Sequence, residues 1–359
     1  MLLYNPKTGN MDKNFKPYYN GFIDDKRGGS LLKQELLRIL EQQKGEPVSG
    51  LAIGRELGVS RSAVWKAIGQ LKKDGYAIES VANKGYLLKA QSDVIRPEEI
   101  QKLLTTKALG RELEILETVD STNSYLKRCS EQLAGHHGHT VIALQQSGGR
   151  GRMNRSFYSP AQRGLYISFF LEPHIGIQDI SLITVLAVVA VCRAIEETAG
   201  FTPSVKWVND VLFNGRKLCG ILTEASIEAE NGQIRYLIVG IGININPDEH
   251  LPEELKPVVA AVNEFSAQPC DRNRLAASLL NHFETIYRQY LTGDFHMILA
   301  EYRERLCVFG QEYNVISAGG SYPAVPVELD AQARLVVRDM DGALHTLNSG
   351  EISLRKQMS

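Results

Sequence analysis

The stretch "EPVSGLAIGRELGVSRSAVWKAIGQLKKDG", Glu46–Gly75, contains two short helical patterns separated by a tight turn. The first pattern, Ser49–Leu57, is broken by the glycine that follows it. The second begins at Ser60, a residue type that caps helices, and ends at the last glycine of the stretch. Two short helices joined by a Gly-Val-Ser turn have the spacing of a helix-turn-helix. Apolar residues fall on one face of the second helix: Val64, Ile68 and Leu71.

The flanking segments extend this pattern to three helices and a β-hairpin. Downstream, "YAIESVANKGYLL", Tyr76–Leu88, alternates polar and apolar residues around a turn at Asn83–Gly85. Upstream of the stretch, starting from Ser30, apolar residues recur at the spacing of one helix face: Leu32, Leu36, Ile39 and Leu40. The sequence therefore predicts a winged helix-turn-helix over residues 30–90.

The charge of this segment favours nucleic-acid binding. Residues 30–90 hold ten Lys/Arg and six Asp/Glu, a net charge of +4, although the whole chain has a net charge of -1. The side chains expected to meet phosphates and base edges lie off the apolar face of the second helix or at the hairpin turn: Arg61, Ser62, Trp65, Lys66, Asn83 and Lys84. A winged helix used only for docking to other proteins is the alternative.

Bulk composition predicts a cytoplasmic protein with several domains. A chain of 359 residues that is 43% hydrophobic is long enough for about two or three domains. Its five cysteines are scattered without a CxxC pair, which favours reduced thiols over disulfides or a zinc site. Residues 1–29 lack the apolar core of a signal peptide and are expected to form a flexible extension.

The longest uncharged apolar segment, "SLITVLAVVAVC" at Ser181–Cys192, is shorter than the roughly 20 residues that cross a bilayer. It predicts a buried helix capped by Ser181 and ended by Gly200, and no contact with membranes.

After a connector over residues 91–112, helical and strand patterns alternate. "EILETVDSTNSYLKR", Glu114–Arg128, predicts a strand followed by a helix that opens at Asp120–Asn123. These four small polar residues either cap the helix or present hydroxyls and an amide to a small polar ligand. Further strands are expected from His139 to Leu144 and on both sides of a turn at Asn214-Gly215. The pattern predicts a mixed sheet with helices, of the α/β or α+β class, over residues 113–306.

The loop "SGGRGRMNR", Ser147–Arg155, places three arginines and three glycines in nine residues without an acid. Glycines free backbone N–H groups to turn inward and arginines supply fork-shaped donors, so phosphate is the favoured ligand. The loop is neither a P-loop nor a GxGxxG turn. An unstructured basic loop and an RNA-contacting segment remain alternatives.

From residue 307 to 359, four or five short strands are expected, with turns at Gly319-Gly320 and Asp341-Gly342. This pattern fits a small SH3-like barrel, which makes the whole chain a multi-domain α+β protein.

Six motifs, in the same order along the chain, resemble those of biotin–protein ligases of the bifunctional form that is also the biotin operon repressor (BirA type). The resemblance covers residues from about 30 to the end. The motifs are "DSTN" at Asp120–Asn123, "GRGRMNR" at Gly149–Arg155 with Ser159-Pro160, "VKWVND" at Val205–Asp210, "GRKLCGIL" at Gly215–Leu222, "GIGIN" at Gly240–Asn244 and "GEISLR" at Gly350–Arg355.

The resemblance implies a central domain like that of class II synthetases and a two-step acyl transfer. The carboxylate of biotin attacks the α-phosphorus of ATP, with Mg²⁺, to give biotinyl-5′-adenylate. A lysine amine on the biotin-carrier domain of a carboxylase then attacks this mixed anhydride. Positive groups suit the first step, because a carboxylate and a triphosphate repel each other.

Site roles follow from position in the motifs. The resemblance implies that Arg150 and Arg152 embrace the adenylate phosphate and the biotin carboxyl, that Lys217 bridges them, and that Asp210 helps to deprotonate the incoming lysine. The implied biotin contacts are Ser121, Thr122, Asn123, Gln146, Gly149, Arg150, Arg152 and Lys217. The implied ATP contacts are Arg152, Arg155, Phe157, Lys206, Trp207, Asn209, Asn244 and Arg355, with Glu351 near the same site. A purely structural lid is the alternative for the carboxyl-terminal domain. No metal held by protein ligands alone is implied.

The resemblance also implies regulation: biotinyl-adenylate promotes a homodimer that binds a palindromic operator. Three residues depart from the family's motifs: Val208 replaces a usual proline, Asn154 a frequent glycine and Phe157 a common tryptophan. Two other functions remain open, a regulator that senses biotin without transferring it and a lipoate-type ligase on the same scaffold.

Overall fold

The structure is a computed structural model that describes residues 27–73, 75–89, 94–228, 232–317, 320–348 and 353–356. The chain forms two compact units, Met1–Val94 and Ile95–Ser359. Of the extension expected over residues 1–29, residues 1–26 lie outside the described residues. The first helix begins at Arg27, three residues before Ser30.

The first unit has the predicted helices and hairpin. Its elements are α1 Arg27–Gln42, β1 Pro47–Val48, α2 Gly50–Glu56, α3 Arg61–Lys73, β2 Ile78–Val81 and β3 Gly85–Leu88. The N-cap at Ser60 is confirmed, because its Oγ accepts a hydrogen bond of 3.2 Å from Ala63 N. The apolar faces meet in one core that includes Leu36, Leu40, Ile53, Val64, Ile68 and Leu71.

The sequence does not predict the short strand β1, because two residues are too few to show the alternation of a strand. It pairs antiparallel with β3, so the hairpin becomes a three-stranded sheet of order β1-β3-β2. Gly85 lies at this junction with φ 112°, and a Cβ there would overlap the Val48 carbonyl. This glycine therefore permits a close backbone approach and does more than form a turn.

The second unit is built on a mixed sheet of order β4-β5-β6-β10-β9-β8-β7. Its strands are β4 Leu113–Leu116, β5 Thr140–Ala143, β6 Gly164–Leu171, β7 Ser204–Lys206, β8 Asp210–Phe213, β9 Arg216–Ile227 and β10 Ile234–Asn244. Only β4 and β5 pair in parallel; the other neighbours are antiparallel. The turn predicted at Asn214-Gly215 is confirmed, with both residues at positive φ. The helices are α4 Pro97–Leu103, α5 Thr122–Arg128, α6 Ile180–Ala199, α7 Arg272–Leu291 and α8 His296–Arg305.

The long apolar helix α6 is buried along most of its length, as the sequence predicted. Gly200 ends it in the left-handed conformation, but the prediction that Ser181 caps it is wrong. A 3₁₀ turn extends the helix backwards, so the N-cap is Asp179, whose carboxylate accepts from Gly176 N. With this turn the segment Ile177–Ala199 is long and apolar enough to span a membrane, but it packs in the core of the second unit.

The prediction that residues 91–112 form a linker does not hold for the larger part of that segment, which packs in the second unit. Ile95, Ile100, Leu104 and Leu109 lie in the main core of the second unit. The buried carboxylate of Glu284 also accepts hydrogen bonds from three successive backbone N–H groups, those of residues 107–109. Residues 90–93 lie outside the described part of the chain.

The carboxyl-terminal strands form an antiparallel sheet of order β14-β13-β12-β11-β15. They are β11 Tyr313–Ser317, β12 Gly320–Leu329, β13 Leu335–Asp339, β14 Leu344–Leu347 and β15 Ser353–Lys356. The turn predicted at Asp341-Gly342 is confirmed by a 3.1 Å bond from Gly342 N to Asp339 O. Gly319, in the other predicted turn, lies outside the described residues. This sheet shares a core with the mixed sheet, since Val315, Leu335 and Val337 belong to the main cluster.

Candidate active site

A cleft forms on the second unit where α5, the arginine loop and strands β8, β9 and β10 meet. It brings together most of the side chains that the sequence singled out, although these lie up to about a hundred residues apart in the chain. The predicted residues that line it are Ser121, Thr122, Asn123, Gln146, Arg150, Arg152, Arg155, Phe157, Lys206, Trp207, Asn209, Asp210 and Lys217.

One end of the cleft is lined by hydroxyl and amide groups. Ser121 is the N-cap of α5, and its Oγ accepts from Ser124 N at 3.5 Å. Both the backbone N and the hydroxyl of Thr122 donate to Oε1 of Gln146, at 2.9 and 3.2 Å. The Gln146 amide then donates to Ser159 Oγ at 2.9 Å. These hydrogen bonds fix the donors and acceptors available to a small polar ligand.

Asn123 is buried at the same end, with an exposed fraction of 3%. Its Nδ2 donates to the Leu222 carbonyl at 3.1 Å and to Oε2 of Glu224 at 2.9 Å. Its Oδ1 accepts from Ser168 Oγ at 2.7 Å. Gly240 leaves room for this amide, because a Cβ there would overlap it. Sequence reasoning missed Glu224 and Ser168; the sole signal for the former is an acid in an otherwise mostly apolar strand.

The arginine loop closes on itself as a tight hairpin. Phe157 N donates to Gly149 O at 2.8 Å, and Gly151 N donates to Arg155 O at 2.7 Å. Met153 and Asn154 at its tip both have positive φ. Gly149 is not among the residues that line the cleft, and a Cβ there would overlap the Phe157 carbonyl and Ser159 Oγ. Hydrogen bonds within its own backbone therefore hold the loop in this hairpin.

The other end of the cleft is cationic. Nη1 of Arg152 donates to Oδ1 of Asn209 at 3.1 Å, and Nζ of Lys217 lies 2.6 Å from Oδ1 of Asp210. Burial lowers the pKa of Arg152 and also that of Lys206, since a charged group loses hydration there. An anionic ligand would restore a favourable environment for these charges.

The Arg150 side chain points to different partners. Its Nη1 lies 3.4 Å from Oε1 of Glu224 and 3.5 Å from Ser124 Oγ, beside the polar end of the cleft. Its predicted contact with the adenylate stays a prediction.

The two predicted aromatic residues of the cleft have different burial and different contacts. Trp207 is 4% exposed and donates from Nε1 to Ala333 O at 3.0 Å, so it also joins the carboxyl-terminal sheet to the mixed sheet. Phe157 packs against Gly242, with Lys217 Nζ 5.9 Å from its ring centroid. Its ring therefore lies close to the cationic end.

Two further predicted contacts lie elsewhere. Asn244 lines a smaller neighbouring pocket, and its amide donates to the Lys217 carbonyl at 3.3 Å. Arg355 has its backbone in β15, but its side chain, like Glu351, lies outside the described residues. Among the described residues there is no group of three or more His, Cys, Asp or Glu side chains that could hold a metal ion.

The predicted DNA contacts lie on the first unit. Arg61, Ser62 and Lys66 are exposed on α3, and Trp65 exposes 65% of its surface. Asn83 and Lys84 are exposed in the turn between β2 and β3.

Comparison with known proteins supports both units. The family model "Biotin/lipoate A/B protein ligase family" matches residues 115–244, and an HTH domain model matches residues 33–87. The bifunctional ligase/repressor BirA of Bacillus subtilis is 34% identical over 90% of this chain and 99% of its own length. This chain belongs to the BirA family of bifunctional ligase/repressors.

Other BirA-family proteins and solved structures agree with this assignment. The BirA of Escherichia coli is 28% identical over 87% of this chain and 94% of its own length. A biotin protein ligase from Aquifex aeolicus, solved in complex with biotin and ATP, is 28% identical with a TM-score of 0.59. That structure covers 69% of this chain and 100% of its own chain.

The structure describes the surroundings of the three residues that depart from the BirA-family motifs. Asn154 has φ 56°, a conformation that glycine adopts more easily than other residues. Val208 is 1% exposed, follows a cis peptide bond, and its carbonyl accepts from Tyr302 Oη at 2.9 Å. Phe157 keeps an aromatic ring in the cleft.

Proposed function

We propose that the protein is an ATP-dependent biotin–protein ligase that is also a biotin-responsive transcriptional repressor. One observation carries the proposal: a single cleft has a fixed polar end, at Thr122 and Gln146, and a cationic end, at Arg152, Lys206 and Lys217. Biotin has an apolar body with a small polar ring at one end and a carboxylate at the other. The two ends of the cleft match this distribution of polarity.

In the first step, a carboxylate oxygen of biotin attacks the α-phosphorus of ATP and pyrophosphate leaves. Arg152 and Lys217 hold the carboxylate and the phosphate together and offset their negative charges. Lys217 is paired with Asp210 in the cleft. Exchange of that carboxylate for a phosphate oxygen brings the ammonium group to the reacting atoms.

In the second step, a lysine amine of a carboxylase biotin-carrier domain attacks the carbonyl carbon of biotinyl-5′-adenylate and AMP leaves. The amine must lose a proton to become a nucleophile and then a second one. Asp210, released from Lys217, is the carboxylate of the cleft placed to accept a proton.

Mg²⁺ would enter with the nucleotide. It keeps most of its water and commonly binds through one or two carboxylates plus substrate phosphates, a set that Asp210 fits. When bound, it neutralises charge on the pyrophosphate that leaves.

The repressor half follows from the first unit. Biotinyl-5′-adenylate is the corepressor, the homodimer that it promotes binds a palindromic operator, and the genes controlled are those of biotin synthesis and transport. The exposed side chains of α3 and of the β2–β3 turn would contact base edges and phosphates.

Finer features of the fold are proposed on the same basis. The mixed sheet is that of class II synthetases, the five antiparallel strands close as an SH3-like barrel, and the protein is cytoplasmic with no membrane contact. The domains are residues 30–90 for DNA binding, residues 113–306 together with the packed segment 95–112 for ligation, and residues 307–359 for the barrel.

The experiment is transfer of labelled biotin to a purified biotin-carrier domain with ATP and Mg²⁺. We expect transfer by the wild type and its collapse in Arg152→Ala and Lys217→Ala, with Lys102→Ala on the exposed face of α4 as the matched control. Absence of wild-type transfer despite tight biotin binding would favour a regulator that only senses biotin. Transfer of lipoate in preference to biotin would favour the lipoate-type ligase.

A further inference from the structure

Glu224 lies outside the lining of the cleft but touches two of its parts. One carboxylate oxygen accepts from the buried amide of Asn123 at 2.9 Å, and the other lies 3.4 Å from Nη1 of Arg150. Asn123 belongs to the turn that opens α5, and Arg150 lies near the start of the arginine loop. One side chain on β9 therefore joins two segments that are separate in the chain.

We propose that Glu224 is a positioning residue that ties the arginine loop to the polar end of the cleft and thereby organises the biotin subsite. This inference rests on the proposed function. In this arrangement the Arg150 guanidinium anchors the arginine loop to Glu224. The backbone of Arg150, not its side chain, faces the ligand.

The contacts of Arg150 support this role. They run to Glu224 and to Ser124 Oγ, and both partners lie next to the α5 turn. The neighbouring loop arginine, Arg152, is directed to Asn209 at the cationic end instead. The two arginines of the loop thus have different partners, one at each end of the cleft.

The contacts of Asn123 explain why the acid must be at this position. Its amide is buried, so each polar atom needs a partner. Ser168 and the Leu222 carbonyl satisfy part of it, and Glu224 takes the remaining donor contact. A carboxylate can accept from Asn123 and pair with a guanidinium at the same time, which a neutral side chain cannot do equally well.

The substitution Glu224→Gln separates the two contacts. The glutamine oxygen still accepts from Asn123, but its amide no longer attracts Arg150. We expect an increase of about fivefold in KM for biotin, the effect of losing a partly exposed ion pair. The KM for ATP and the rate of transfer from preformed biotinyl-5′-adenylate should change little, and Glu131→Gln, which removes an exposed ion pair with Arg235, is the matched control.

A double-mutant cycle tests whether Glu224 acts through Arg150. Arg150→Ala should raise KM for biotin as Glu224→Gln does, Arg150→Lys should recover part of the loss, and the double variant should be no worse than either single variant within about twofold. Calorimetric titration with biotin alone should show the same losses before any chemistry.

Other outcomes overturn the inference. Additive losses in the double variant would show that the two residues act separately. A collapse of kcat in Arg150→Ala comparable to that of Arg152→Ala would show that the Arg150 side chain contacts the adenylate. A loss of kcat in Glu224→Gln with unchanged KM would make the acid a catalytic residue, whereas inactivity of the wild type would refute the proposed function and not this inference alone.

Discussion

The ammonium nitrogen of Lys217 lies 2.6 Å from Oδ1 of Asp210 in the cationic end of the cleft. Lys217 is near the start of β9 and Asp210 is at the start of β8, on the two arms of the hairpin that turns at Asn214-Gly215. The hairpin thus supplies both an acid and a base to one site. In the proposed reaction, a ligand that displaces one of the two groups frees the other for chemistry.

Asp210→Asn is expected to slow transfer of biotin more than formation of the adenylate, because the amide cannot accept a proton from the attacking lysine. We expect the single-turnover rate from preformed biotinyl-5′-adenylate to fall by about 10²-fold. Pyrophosphate release, which reports the first step, should fall much less. Asp248→Asn, which alters an acid bonded to Tyr158 outside the cleft, is the control. Loss of pyrophosphate release with unchanged transfer from preformed adenylate would instead confine Asp210 to holding the Mg²⁺ of ATP.

Lys206 should set an alkaline limit on ATP use. Burial lowers its pKa below the ordinary 10.5, so its neutral form appears at a lower pH than for an exposed lysine. Bound phosphate favours the charged form, hence kcat/KM for ATP should fall as pH rises through the pKa of the free enzyme. In Lys206→Arg the guanidinium stays protonated and the alkaline limb should move to higher pH. An unchanged limb in that variant would assign it to another group.

Gly85→Ala should destabilise the first unit by about 2–3 kcal/mol, because alanine is strained at φ 112° and its Cβ meets the Val48 carbonyl. Gly58→Ala is the matched control: its φ is 65° and its Cβ meets nothing within 4 Å, so a cost of about 1 kcal/mol is expected. Thermal melts of the full chain would compare the two. Operator binding should weaken in Gly85→Ala while biotin transfer persists, and equal costs in the two variants would contradict the close approach.

Lys66→Ala should weaken binding to every DNA sequence tested and reduce the slope of log K against log salt by about 1, as expected for loss of one phosphate contact. Arg38→Ala on α1, whose side chain pairs with Glu35 at 2.9 Å, should leave the slope unchanged. Electrophoretic mobility shifts at several salt concentrations would measure both. If DNA binding proves indifferent to Lys66, and equally to Arg61 and Trp65, the winged helix is a protein-docking module.

Local patterns predicted much of the fold. The helices over the first unit, the buried helix α6 and the turn at Asn214-Gly215 each follow from period, caps or turn residues that act over a few positions. The errors have local causes too: β1 is two residues long, and the cap at Ser181 was displaced because a 3₁₀ turn continues the helix backwards.

The chemical groups of the site can be identified from the amino-acid sequence: the arginine loop, the four polar residues at the start of α5, and the lysine and acid of the hairpin. The family can be identified in the same way, because its motifs occur in this sequence in the family's order. Which of these groups come into contact depends on the folded chain. Glu224, Asn123 and Arg150 converge because strand register and a helix start bring distant segments together, and contacts of this kind depend on long-range packing that no local period encodes.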